Sequence, residues 1–191
     1  MTTSDHTMTG TLSGIYTASE RRGAMTSWET RQVLKDKGLI YDRYTQGKGS
    51  YQSNAAGQRC VSLMDMKFVH AFRWKPEHTR RNLFINAHKD VSDPLDLACA
   101  LDMAMNSDGS LRRHLGNPAT NCHIMIGLAR FEITGYCTPC LVPDAERQKD
   151  TGDFIGSFKD DFGGVGGLLL RPLNDETLRL DQPFYQLKRG Y

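Results

Sequence analysis

The sequence predicts a mainly β protein: a closed β-barrel of short strands with a few inserted or peripheral helices. Three observations predict it. Short apolar runs recur along the chain, separated by turns rich in glycine, asparagine and proline. The helical patterns between them are few and do not alternate with the strands, as a doubly wound parallel sheet would require. No segment repeats at a fixed period, which excludes a solenoid or a propeller.

The elements follow in order. The first ten residues read as a frayed terminus, and residues 11–17 (TLSGIYT) suit a first strand. Thr26 and Glu29 have the spacing of a capping box, and Gly38 can close a helix over 27–37, on which Trp28, Val33 and Leu34 form a thin apolar stripe. A polar loop over 45–58 leads into an apolar strand at 60–64. Residues 65–74 put Met66, Val69, His70 and Arg73 on one side and Phe68 and Phe72 on another, the pattern of a short, mostly buried helix. Residues 83–86 read as a strand. Asp93 and Pro94 supply an N-cap and first-turn pair for a helix to about 105, followed by a loop over 106–121. Strands at 124–126 and 131–133 join near Gly127. A charged helical stretch over 144–161 and a glycine cluster (Gly163, Gly164, Gly166, Gly167) precede three closing strands at 168–173, 177–180 and 184–187.

Composition narrows the class. The 191 residues are 39% hydrophobic and 24% charged, which excludes a disordered, collagenous or coiled-coil chain and predicts one globular domain over 11–191, with a helical insertion at about 90–121. Lys and Arg number 24 against 22 Asp and Glu. A chain so balanced is not a binder of nucleic acid polymers, although a local cluster can hold a phosphate. No apolar run approaches the ~20 residues of a spanning helix, and MTTSDHTMTGTLSG lacks the apolar core of a signal peptide. Five cysteines, an odd number, without an export signal predict reduced thiols and a cytoplasmic location.

Four constellations can carry chemistry. The densest is Gly135-Tyr136-Cys137-Thr138-Pro139-Cys140, directly after a strand. Its thiols can form a redox pair, contribute to a zinc site with Cys122 and His123, or ligate a softer transition metal; they can also be two small half-buried residues at a strand end. Arg80-Arg81-Asn82 opens a strand, where an arginine can fork onto a phosphate or carboxylate. Gly38-Leu39-Ile40-Tyr41-Asp42-Arg43-Tyr44 sets an acid beside a base. Ser19, Arg21 and Arg22 form a small polar turn after the first strand. The glycine cluster lacks the spacing of a phosphate loop, and the six histidines show no ligand spacing.

Read in order, GLIYDRY, QRCVSLMDMKFVHAF, RRNLFI, IGLARFEITGYCTPC and FGGVGGLLLRPLNDETLRLDQPF resemble the successive motifs of the MOSC domain family, named for the C-terminal domain of molybdenum-cofactor sulfurase, in a stand-alone single-domain form. The resemblance covers about residues 11–187. It departs at Tyr41 and at Asp181, where the family has glycine, and at Cys60, where it has glutamine. It implies a closed barrel whose cleft holds a molybdopterin-type molybdenum cofactor. Cys140 matches the cysteine that ligates the metal and is the expected catalytic residue, with Cys137 secondary. Arg80 and Arg43 match positions that serve the phosphate. Arg21, Arg22 and Ser19 occupy the turn that approaches the cofactor, and Asn82 either bonds it or holds the strand. The implied activity is an oxidoreductase reducing N-hydroxylated compounds with electrons from a separate donor protein. The alternatives are a sulfur carrier or transferase acting through a Cys persulfide and, second, a structural or zinc-binding CxxC protein. The pyridoxal-phosphate domain of full-length sulfurases has no counterpart in this sequence, which favours the reductase. Cys60, Cys99 and Cys122 are expected to be structural.

Overall fold

The computed structural model describes residues 8–49, 60–87, 123–153, 156–163 and 166–187. Seven strands build the main body: β1 (Met8–Thr17), β5 (Val61–Asp65), β6 (Leu83–Ala87), β7 (His123–Ile126), β8 (Ala129–Tyr136), β9 (Leu168–Pro172) and β11 (Pro183–Leu187). They pair in the order β11-β7-β8-β9-β5-β6-β1, and β1 pairs back onto β11 to close a barrel. β5 and β6 run parallel and the remaining neighbours are antiparallel. The long β1 is shared out along its length. Its first residues pair with β11, its middle with β6, and its end with β2 (Thr26–Ser27).

The parallel pair explains where the helices go. α1 (Met66–Ala71) and α2 (Pro76–Thr79) form the crossover between β5 and β6, because parallel neighbours cannot be joined by a hairpin. Both strands are then buried on two faces. Val61, Leu63, Leu83 and Ile85 point into the barrel beside Leu12, Ile124, Phe131, Leu170 and Phe184. Met64 and Phe84 alternate outward into a second core with Met66, Val69, Trp74, Phe158 and Phe162. α3 (Val142–Thr151) and α4 (Phe158–Asp161) close over that second core. The Trp74 indole N–H donates to Asp161 Oδ2 at 2.7 Å, and the rings of Trp74 and Phe158 meet edge to face at 5.2 Å.

Three expectations are corrected. Residues 27–37 are not a helix. β3 (Thr30–Leu34) pairs with β10 (Glu176–Arg179) and with β4 (Gly38–Leu39) in a small second sheet. Val33 is buried against Leu39 and Leu178, so pairing with a strand some 140 residues away outweighs the local capping signal. Gly38, read as a helix stop, is a hairpin residue with φ +102, where a Cβ would lie 2.6 Å from the Cys60 carbonyl oxygen. The 144–161 helix is two helices, since Gly152 takes φ +79 and caps α3. β1 also begins at Met8, three residues before the sequence reading started it. The 94–105 helix, the 106–121 loop, Cys99 and Cys122 lie outside the described residues. Among those described, no helix is long and apolar enough to cross a membrane.

Candidate functional site

A cleft of about 480 Å³ opens where the parallel strand pair meets the loop after β8. That volume suits a small molecule. One wall comes from residues 80–82, which lead from α2 into β6. Arg80 adopts a left-handed conformation with φ 62 at the end of α2. The kink breaks the alternation that would send neighbouring side chains to opposite faces, and Arg80, Arg81 and Asn82 all line the cleft. Cys137-Thr138-Pro139-Cys140 and Val142 also line it. Ser62 and Leu169 form the floor, and Arg21, Arg22, Arg43 and Tyr44 complete the rim.

A buried polar network holds these segments together. Asp42 is fully buried. Its Oδ2 accepts from the Ala18 amide at 3.2 Å and from Asn82 Nδ2 at 3.0 Å, and its Oδ1 accepts from the Tyr44 amide at 3.1 Å. The Arg43 amide donates to the Ala18 carbonyl at 2.7 Å, so residues 18 and 42–43 are joined in both directions. Asn82 also donates to the Tyr16 carbonyl, while its Oδ1 accepts from the Ser62 amide and hydroxyl at 3.1 and 2.9 Å. All of its hydrogen-bonding capacity is used within the protein. Of the two roles expected for Asn82, the geometry matches holding the strand. Burial pushes the Asp42 carboxyl above its ordinary value, against the pull of Arg43 and the hydrogen bonds.

Three buried arginines line the cleft. Arg80 Nη1 donates to the Gly23 carbonyl and Nη2 to the Arg21 carbonyl at 3.0 Å, which ties the 19–23 turn to α2. Arg81 spends Nε, Nη1 and Nη2 on the carbonyls of Gly166, Thr79 and Cys137, at 2.7, 3.2 and 3.2 Å. Arg43 has Asp42 at 3.6 Å and the Met25 sulfur at 3.8 Å. Burial and then the like charge of Arg43 lower the Arg80 guanidinium from its ordinary value, while Glu146, Asp42 and Cys140 act in the other direction. The cleft therefore has an excess of buried positive charge, which an anion would relieve.

The two thiols at the rim are not equivalent. Cys137 is half-buried and its backbone is held on both sides: its amide donates to the Gly167 carbonyl at 2.8 Å and its carbonyl takes Arg81. Gly166 lies so close that a Cβ there would be 2.5 Å from the Cys137 oxygen. Cys140 is exposed; residues 137–140 have no regular structure and run from β8 to the N-cap of α3 at Leu141. Among the described residues, no three of His, Cys, Asp and Glu gather as metal ligands.

Thus the structure brings Arg21, Arg22, Arg43, Arg80, Asn82, Cys137 and Cys140 together around one cleft. Ser19 is exposed on the adjoining turn and does not line it. Sequence reasoning passed over Ser62, Tyr44, Leu169 and the bracing role of Arg81. The adjacency in Arg80-Arg81-Asn82 was the signal for Arg81.

The barrel has a MOSC-like fold. No family model matches the chain, and no curated protein does. Among solved structures, the YUAD protein from Bacillus subtilis is similar with a TM-score of 0.67 at 12% identity, over 95% of this chain and 98% of that one. YiiM from Escherichia coli has a TM-score of 0.51 at 12% identity, over 94% of this chain and 71% of that one. YiiM from Geobacillus stearothermophilus has a TM-score of 0.51 at 10% identity, over 97% and 76%. At such identities the likeness is one of fold. Tyr41 and Asp181, which stand where the resemblance expects glycine, both have φ +64, a conformation that favours glycine.

Proposed function

We propose that the cleft binds a molybdopterin-type molybdenum cofactor and that the protein reduces N-hydroxylated compounds with electrons from a separate donor protein. One observation carries this reading: buried arginine guanidiniums and an exposed thiol converge on a single small-molecule cleft. The donor set fits such a group. Arg80 and Arg43 offer charge-assisted hydrogen bonds to its phosphate, and Cys140 offers a soft thiolate to its metal. Arg81, three of whose donors bind backbone carbonyls, and Asn82, whose donors are both committed to the protein, keep the wall in shape. Arg21 and Arg22 add positive charge at the mouth. When bound, a molybdenum centre of this class supplies two-electron oxygen-atom chemistry. The chain's own residues bind the anionic end, present the thiol and leave the mouth open to substrate.

The test is metal and pterin content together with amidoxime reductase turnover, in protein from a host that makes the cofactor. Molybdenum near one per chain, lost turnover in Cys140→Ser with the pterin retained, and weakened retention in Arg80→Lys would support the reading. A protein that leaves such a host with zinc or no metal would end it. The exposure of Cys140 also suits a second reading, a persulfide carrier for metal–sulfur cofactor assembly. A persulfide found on Cys140 by mass spectrometry after incubation with a cysteine desulfurase, in protein without molybdenum, would favour that one.

A further inference from the structure

The buried arginines of the cleft differ in what they have left to offer a ligand. A guanidinium donates from Nε, Nη1 and Nη2. Arg81 gives a hydrogen bond from each of these to a backbone carbonyl, and Arg80 commits Nη1 and Nη2 to the 19–23 turn. Arg43 is different. Its Nη1 has Asp42 at 3.6 Å and the Met25 sulfur at 3.8 Å, while Nε and Nη2 meet no acceptor among the described residues. That unspent edge belongs to a side chain only 9% exposed, which lines the cleft. A planar Nε–Nη2 edge matches two oxygens of one phosphate.

Such an edge selects its ligand only while the guanidinium plane is held. Asp42 approaches it at Nη1. Tyr44, which also lines the cleft, supplies a second hold: its ring centroid lies 5.2 Å from the Arg43 guanidinium carbon, within cation–π range. The ring is itself seated by the chain around it. The Tyr44 amide donates to Asp42 Oδ1 at 3.1 Å, the Lys48 amide to the Arg43 carbonyl at 2.8 Å and the Gly47 amide to the Tyr44 carbonyl at 3.3 Å, so residues 43–48 fold back on themselves. The fold brings Gly49 against the ring, so close that a Cβ there would overlap Cδ1 and Cε1 of Tyr44. The Tyr44 ring thus links this turn to Arg43.

We propose that Tyr44 is a positioning residue, whose ring sets the Arg43 guanidinium as the cleft's receptor for a phosphate monoester, while Arg80 contributes mainly charge and a brace for the 19–23 turn. The identity of that monoester, the pterin phosphate, rests on the cofactor reading.

The experiment titrates cofactor-free protein with inorganic phosphate at constant ionic strength, followed by phosphorus NMR line broadening, with a urea midpoint for each variant. Arg43→Gln should weaken binding by about tenfold or more, and Arg43→Lys should lose more affinity than Arg80→Lys. Tyr44→Leu should weaken binding by ~5- to 30-fold, whereas Tyr44→Phe, which keeps the ring, should stay within ~3-fold of wild type. In an Arg43→Gln background, Tyr44→Leu should add little, because no guanidinium is left for the ring to hold. Gly49→Ala, which crowds the ring from a residue that does not line the cleft, should weaken binding in the same direction. Unchanged phosphate affinity in folded Tyr44→Leu, even with a lowered urea midpoint, would overturn the inference. So would an equal loss with and without Arg43, or Tyr44→Phe binding as weakly as Tyr44→Leu. A wild type that takes up no phosphate would overturn it too, leaving metal and pterin content to decide the cofactor reading. Protein that shows the predicted phosphate pattern but acquires no molybdenum in a cofactor-making host would end the cofactor reading and leave the role of Tyr44 standing.

Discussion

Asp42→Ala should be among the most damaging single substitutions in the protein. It removes the acceptor for the Ala18 and Tyr44 amides and for Asn82 Nδ2, and it strips the nearby Arg43 guanidinium of its counter-charge at 3.6 Å. Breaking a buried ion pair by removing one partner costs roughly 3–5 kcal/mol, a range that already includes much of the cost of the unmet donors. For a domain of this size, ~1 kcal/mol moves Tm by about 2–4 °C, so a fall on the order of 10–15 °C is expected. Urea unfolding followed by circular dichroism, with calorimetry alongside, measures it. Asn82→Ala and the double variant complete a cycle, and two residues sharing one network should couple by roughly 0.5–3 kcal/mol. The sign with pH is also set. Because burial raises the Asp42 carboxyl, its ionisation favours the folded state most in acid and this contribution declines as pH rises through its folded value, so titration of Asp42 does not destabilise the fold on mild acidification. A loss under ~1 kcal/mol, or strict additivity with Asn82→Ala, would refute the claim that Asp42 joins the cleft segments.

At Tyr41 and Asp181, each with φ +64, the glycine variant should exceed the alanine variant in stability by about 1 kcal/mol; equal urea midpoints would contradict the left-handed assignment. Gly167→Ala should cost at least ~2 kcal/mol, because φ is +97 and a Cβ would collide with the Leu63 carbonyl oxygen, whereas Gly152→Ala, at φ +79 with open space around it, should cost only ~1 kcal/mol. The Cys60 thiol, pushed up to about 11 chiefly by burial, favours the folded state most below pH 9. Wild-type stability should therefore fall by up to ~1.4 kcal/mol per pH unit from pH 9 towards 11, and Cys60→Ala should remove that slope. Iodoacetamide at pH 8 should label the exposed Cys140 while the buried Cys60 stays unmodified until the protein unfolds, which mass spectrometry of the peptides reads directly.

Much of the barrel was legible from local chemistry. The apolar runs that became β5, β6, β7, β8, β9, β10 and β11 are short, bounded by turn residues, and rich in branched or aromatic side chains. The RRN sequence and the CxxC pair were legible as candidate groups for the same reason: charge and sulfur are properties of the residue itself. What escaped was orientation. Nothing in the adjacency of Arg80 and Arg81 discloses a left-handed residue that turns both into one cleft. Nothing in a charged run over 142–151 distinguishes Glu146, whose side chain is mostly buried, from Lys149 in solvent.

The residues 27–37 show the division most clearly. Alone, Thr26, Glu29 and Gly38 mark out a helix, and only contact with β10 makes Thr30–Leu34 a strand. Periodicity and turn chemistry are encoded within a few residues, so the sequence by itself determined the class, most strands and the residue types of the cleft. Pairing partners, the face that each side chain takes and the desolvation of Asp42 and Arg80 depend on segments far apart in the chain, because hydrogen-bond ladders and burial are satisfied only when those segments meet.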